Sequence, residues 1–185
     1  YFYMMRKGLP ILSQILFCLL LFGLPLFMDT KISSTFGVSK TTLLRTISLL
    51  IASLWIIRLT YFKERFVKTS LDIPILAYLS ATILSTMLGR SPILSFFGSY
   101  ERQEGLTTLI NYIFLFYASI NLLEKEAIPR IINVVVLTGV LSAGLGITQH
   151  YEMNILHLEW GGFSKDRVVS SFGNSIVGLS IGMFL

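Results

Sequence analysis

Two polar blocks stand out in a chain that is otherwise strongly apolar. The first is Gly98-Ser99-Tyr100-Glu101-Arg102-Gln103-Glu104-Gly105-Leu106, with Arg90 shortly before it. The second is Lys165-Asp166-Arg167-Val168-Val169-Ser170-Ser171-Phe172-Gly173-Asn174, placed where a loop enters an apolar stretch. Arginine at such places suits one chemistry above others, because a guanidinium fork grips two phosphate oxygens at once. Arg90 and Arg102 could therefore receive the phosphates of a lipid-linked substrate. In the second block Ser170 or Ser171 could cap the helix that follows, whose exposed N–H groups favour an anion, and Arg167 adds a full positive charge nearby. A plainer reading stands beside each: a solvated loop whose Glu and Arg balance one another, and an arginine that merely anchors a helix at the headgroups.

Other chemistry finds less support. His150 and His157 are seven positions apart with Glu152 and Glu159 nearby, a spacing that does not match a compact metal motif, and the single cysteine, Cys18, lies in an apolar run away from them. General-base work by either histidine stays open. The sequence contains no serine nucleophile elbow, phosphate-binding glycine loop or dinucleotide fingerprint. A lone cysteine permits no intramolecular disulfide and is silent on redox compartment.

The elements that must position these residues follow from hydropathy. Of 185 residues 54% are hydrophobic and 14% charged, with a mean hydropathy of +0.73; an average soluble domain is about 25% charged. The apolar residues come in blocks, each able to cross a hydrocarbon core of about 30 Å as a helix rising about 1.5 Å per residue. The expectation is all-α: a polytopic bundle of about six spans, near 9–28, 43–59, 73–88, 106–123, 131–148 and 172–185. Residues 1–185 form a single transmembrane domain in this reading, with the last span cut short at Leu185 and the chain the N-terminal portion of a longer protein. The stretch 9–28 reads as a retained first span, being longer than a signal core and lacking an A-x-A-like site.

Lys and Arg bias sets orientation. With the N-terminus cytoplasmic, the inner segments carry Arg6, Lys7, Arg58, Lys63, Arg65, Lys68, Lys125 and Arg130, and the outer segments the other seven of the 15. The count is nearly even, but the dense cluster from Arg58 to Lys68 and the pair Arg6 and Lys7 share a side, which favours N-inside. The net charge of +5 is scattered between spans, which argues against nucleic acid as a partner. Small residues four apart, Gly139 with Ala143, Ser142 with Gly146 and Gly178 with Gly182, mark faces where helices could approach closely in lipid.

In order and content, the run from Gly98 to Leu106 leading into an aromatic span, and the later Arg167-Val-Val-Ser-Ser-Phe-Gly-Asn174 opening another, resemble the O-antigen ligase and polymerase (Wzy/WaaL-type) superfamily of bacterial membrane glycosyltransferases. The resemblance implies transfer of a glycan from an undecaprenyl-diphosphate carrier to a glycan or lipid acceptor at the outer face of the cytoplasmic membrane, in polysaccharide biosynthesis of the cell envelope. It implies no cofactor and no metal. It also implies that Arg102 and Arg167, with Arg90, face outward at the carrier diphosphate, supported by Gly98, Gly105, Gly173 and Asn174. The outer arginines, odd under the positive-inside rule, then have a purpose. The sequence departs from the family where Ser175 and Ile176 follow Asn174 in place of proline and asparagine. The family's large outer loop with its proposed catalytic histidine lies downstream, so the base is expected beyond Leu185 and the 185 residues alone are expected to be inactive.

Two other functions fit a polytopic chain. A transporter or flippase of lipid-linked glycans would carry polar residues at mid-span and broken helices in matching halves, whereas the mid-span positions here read as apolar. A noncatalytic membrane assembly protein would require no chemistry of the outer loops.

Overall fold

The computed structural model describes residues 2–27, 37–63, 66–100 and 103–151, with side chains from Gly8 onward. Among them there are helices and no strands: α1 Phe2–Leu26, α2 Gly37–Tyr61, α3 Asp72–Leu88, the short α4 Pro92–Phe97, α5 Leu106–Leu122 and, after a 3₁₀ turn at Lys125–Ala127, α6 Ile128–His150. Three stretches, Gly8–Leu26, Gly37–Tyr61 and Lys125–His150, are long and apolar enough to cross a membrane. α3 and α5 are apolar helices of 17 residues each, about 25 Å long and at the lower end of a spanning length. The expected span at 172–185, and the pair Gly178 and Gly182, lie outside the described residues.

Some helices overrun the apolar blocks, because a helix continues past the hydrocarbon edge until a capping or breaking signal stops it, while α1 stops at Leu26 and α5 at Leu122, short of the expected 28 and 123. α2 extends to Gly37 and Tyr61 rather than 43–59. α6 starts at Ile128, since Pro129 in its first turn costs no hydrogen bond there. α4 was not expected at all: Pro92 and Gly98 enclose a helix of 6 residues between the spans expected at 73–88 and 106–123.

α1, α2 and α5 meet in a core of Phe17, Leu20, Leu44, Ile47, Ile51, Ala118 and Leu122. Polar bonds fix which ends of the helices lie together. At one end Lys40 Nζ donates to Pro25 O at 3.4 Å and Arg45 Nη2 to Thr107 Oγ1 at 3.0 Å. At the other, Arg58 Nη1 donates to Leu122 O at 3.1 Å and Arg130 Nη1 to Gln14 Oε1 at 2.7 Å. Helices α2 and α5 therefore run parallel to each other and opposite to α1 and α6. Along α6 the buried positions are Thr138, Gly139, Ser142 and Gly146, small residues that let it pack along α1. Ser142 with Gly146 thus forms a packing face, while Ala143 is exposed.

Residues 66–71, between α2 and α3, are clamped onto α5. Tyr117 Oη donates to Asp72 Oδ1 at 2.9 Å, Thr69 Oγ1 to the same oxygen at 2.7 Å, and Thr69 N to Asp72 Oδ2 at 3.1 Å. Val67 N donates to Asn121 Oδ1 at 2.9 Å. Phe66 stacks on Trp55 with ring centroids 6.0 Å apart and meets Tyr117 at 5.5 Å.

Large apolar side chains line the outside, among them Leu49 at 72% and Leu88 at 84% exposed, far more than a water-facing surface tolerates in one contiguous area and what lipid contact requires. A core truncation should therefore weigh heavily and a lipid-facing one lightly. Ile51→Ala, at a fully buried position (0% exposed), is expected to cost about 2–5 kcal/mol in reversible unfolding of the protein in micelles, and Leu49→Ala close to nothing.

Candidate functional site

The first polar block is built around two glycines. α4 ends at Gly98, whose N–H donates to Leu94 O at 2.8 Å and whose backbone takes φ 86° and ψ 169°, a region open essentially to glycine alone. α5 begins after Gly105. The two glycine backbones abut: a Cβ on Gly98 would lie 2.6 Å from Glu104 N and 2.8 Å from Gly105 N, and one on Gly105 would lie 2.5 Å from Phe96 O and from Phe97 C. The chain from Gly98 to Gly105 is thus a turn pinched shut at its base, which only hydrogen side chains permit.

Further bonds tie the turn to α5. Gln103, at φ 55°, donates its N–H to Ser99 O at 2.7 Å, and its own carbonyl accepts Thr108 Oγ1 at 2.7 Å. Thr107, beside Thr108, accepts Arg45 from α2. The N-terminus of α5, with the positive end of its dipole, therefore carries a half-buried guanidinium beside it. Together these favour an anion at this end of the bundle.

The sequence-derived residues are distributed as follows. Gly98 and Gly105 are brought together. Arg90 follows the C-terminus of α3, exposed, on the same end as the pinched turn. Arg102, Arg167, Gly173 and Asn174 lie outside the described residues, as does His157. His150 ends α6, exposed, its ring 5.1 Å from that of Tyr151. Among the described residues no group of three or more His, Cys, Asp or Glu is placed to hold a metal ion.

Arg45 is the cation that reading the sequence passed over. Its place near the start of an apolar stretch fits a side chain that snorkels to the headgroups, yet it bonds to the first turn of α5. The signal was its position: inside the apolar stretch rather than ahead of it, where a charge is costly without a partner or a task.

No protein-family model matches the chain, and neither a curated protein nor a solved structure matches it.

The pinch makes a clear demand on substitution. Gly98→Ala is expected to weaken the turn by about 1–3 kcal/mol from backbone strain alone, read as faster amide hydrogen exchange at Gln103 and Thr108. Gly144→Ala, where an added Cβ meets nothing within 4 Å, should leave those amides unchanged.

Proposed function

We propose that the chain is the membrane part of an O-antigen ligase- or polymerase-like glycosyltransferase, which moves a glycan from an undecaprenyl-diphosphate carrier to an acceptor outside the cytoplasmic membrane. The observation that carries this reading is the pinched turn from Gly98 to Gly105. It brings Gly98-Ser99-Tyr100 and Gln103-Glu104-Gly105, the described parts of the family-like run, to the α5 N-terminus, on the end of the bundle that also bears Arg45 and Arg90. In this reading six spans cross the bacterial inner membrane with the N-terminus cytoplasmic, which puts the turn, Arg45 and Arg90 outside and Arg58, Lys63, Lys68, Lys125 and Arg130 inside.

The chemistry is an inverting displacement. An acceptor hydroxyl attacks the anomeric carbon, the new C–O bond forms as the bond to the carrier phosphate breaks, the hydroxyl proton passes to a base, and the diphosphate leaves on its lipid. Charge builds on the departing diphosphate, so fixed guanidinium groups facing it lower the barrier. Arg102 and Arg167, with Arg90, have that role here. Arg45, bonded to Thr107, is a positioning residue that adds to the positive field from behind.

The test is glycan transfer in cells producing the whole protein with Arg102→Ala, Arg167→Ala or Lys125→Ala, each checked for abundance in the membrane. The two outer changes are expected to lower transfer by about 100-fold at normal abundance, and Lys125→Ala to leave it intact. Unchanged transfer in both outer variants would remove the proposed diphosphate site.

A further inference from the structure

A groove of about 380 Å³ runs between α1 and α6, at the end of the bundle away from the pinched turn. Its walls are apolar, with Ile11, Ile15, Leu19 and Phe22 from α1 and Ile131 and Val134 from α6. One charged residue lines it, Arg130. Arg130 stands in the first turn of α6, right after the polar connector of Glu124, Lys125 and Glu126, and so at headgroup depth for a membrane helix. Gln14, buried in α1, accepts one guanidinium N–H at 2.7 Å, which fixes the fork over the groove and leaves most of its five donors to other partners. Glu124 and Glu126 are exposed and do not line the groove.

Shape and charge together specify an occupant. From Gln14, the partner of Arg130, to Phe22 the α1 wall rises about 12 Å, most of one leaflet, which is about half of a 30 Å core. A cation at the headgroup end of an apolar trough of that length complements an anionic head on a hydrocarbon tail. We propose that this groove is a binding site for one anionic glycerophospholipid of the bilayer, its phosphate on Arg130 and an acyl chain laid along Ile11, Ile15, Leu19 and Phe22. A zwitterionic lipid offers the same tail but neutralises its own phosphate, so the preference for the anionic head comes from Arg130.

The experiment uses the full chain in phosphatidylcholine nanodiscs containing a small fraction of either phosphatidylglycerol or phosphatidylcholine with a photoreactive diazirine in the acyl chain. Cross-linked residues are mapped by mass spectrometry. Phosphatidylglycerol is expected to label residues 11–22 and 127–134 several-fold more than phosphatidylcholine does. Arg130→Gln should lower that labelling to the phosphatidylcholine level, Arg130→Lys should keep most of the excess, and Ile15→Trp, which fills the trough, should reduce labelling by both lipids. Equal labelling by the two lipids in the unaltered chain would overturn the proposal. So would an excess that survives Arg130→Gln, or labelling spread evenly over other lipid-facing positions such as Leu49.

Discussion

A helix that ends inside a bundle leaves carbonyl groups with no partner, and in an apolar setting each unmet carbonyl costs several kcal/mol. α5 ends in this way, at Leu122, which is almost fully buried against α1 and α2. Its carbonyl accepts Arg58 Nη1 from α2 at 3.1 Å and Ser13 Oγ from α1 at 3.4 Å. Ser13 also serves Pro10 O at 2.8 Å, in the stretch of α1 where a proline interrupts the ladder. One buried carbonyl therefore sets the relative height of three helices. The apolar core from Phe17 to Leu122 packs beside that point, and Arg45 at the far end of the same parallel pair reaches Thr107 because α2 and α5 are already in register.

The two ends of the bundle are secured by different means. At the Leu122 end the segment after α2 is held by a carboxylate, a phenol, an amide and three aromatic rings, so that Asp72, Tyr117, Asn121, Trp55 and Phe66 act as one clasp on α5. At the opposite end backbone meets backbone, at Gly98 and Gly105, with the Thr108 hydroxyl and the Arg45–Thr107 bond beside the junction. A clasp of side chains immobilises a connector along its length, whereas a backbone pinch fixes the base of its turn.

The helices were legible in the sequence because membrane-length apolar runs leave few alternatives for a backbone without water. Their ends were less so, since hydropathy marks the edge of lipid and capping marks the edge of the helix, and α2 overruns its apolar block on both sides. α4 escaped because a helix of 6 residues has no periodicity to detect. The clasp on α5 was partly written in Thr69-x-x-Asp72, a capping-box spacing in which the Asp72 carboxylate accepts the Thr69 N–H. Its partners Tyr117 and Asn121 come from another helix, and no local pattern announces them. Of the candidate site, Gly98 and Gly105 were singled out for their motif and turned out to touch. Arg45 and Arg130 have the placement of ordinary interfacial charges, and only their partners from other helices, Thr107 and Gln14, set them apart. Arg102, Arg167, Gly173 and Asn174 lie outside the described residues.

Because Gly98 and Gly105 close on each other, α4 meets α5 through the glycines themselves, and the chain leaves and rejoins the bundle there at a single point. The tip of the turn can change in composition while the helices beneath keep their spacing, provided both glycines and the backbone bonds of Gln103 to Ser99 and Thr108 are kept. Selection acting on such a tip is freed from selection acting on the fold. A lineage could rewrite a handful of residues on this face, with the bundle serving as an unchanging mount.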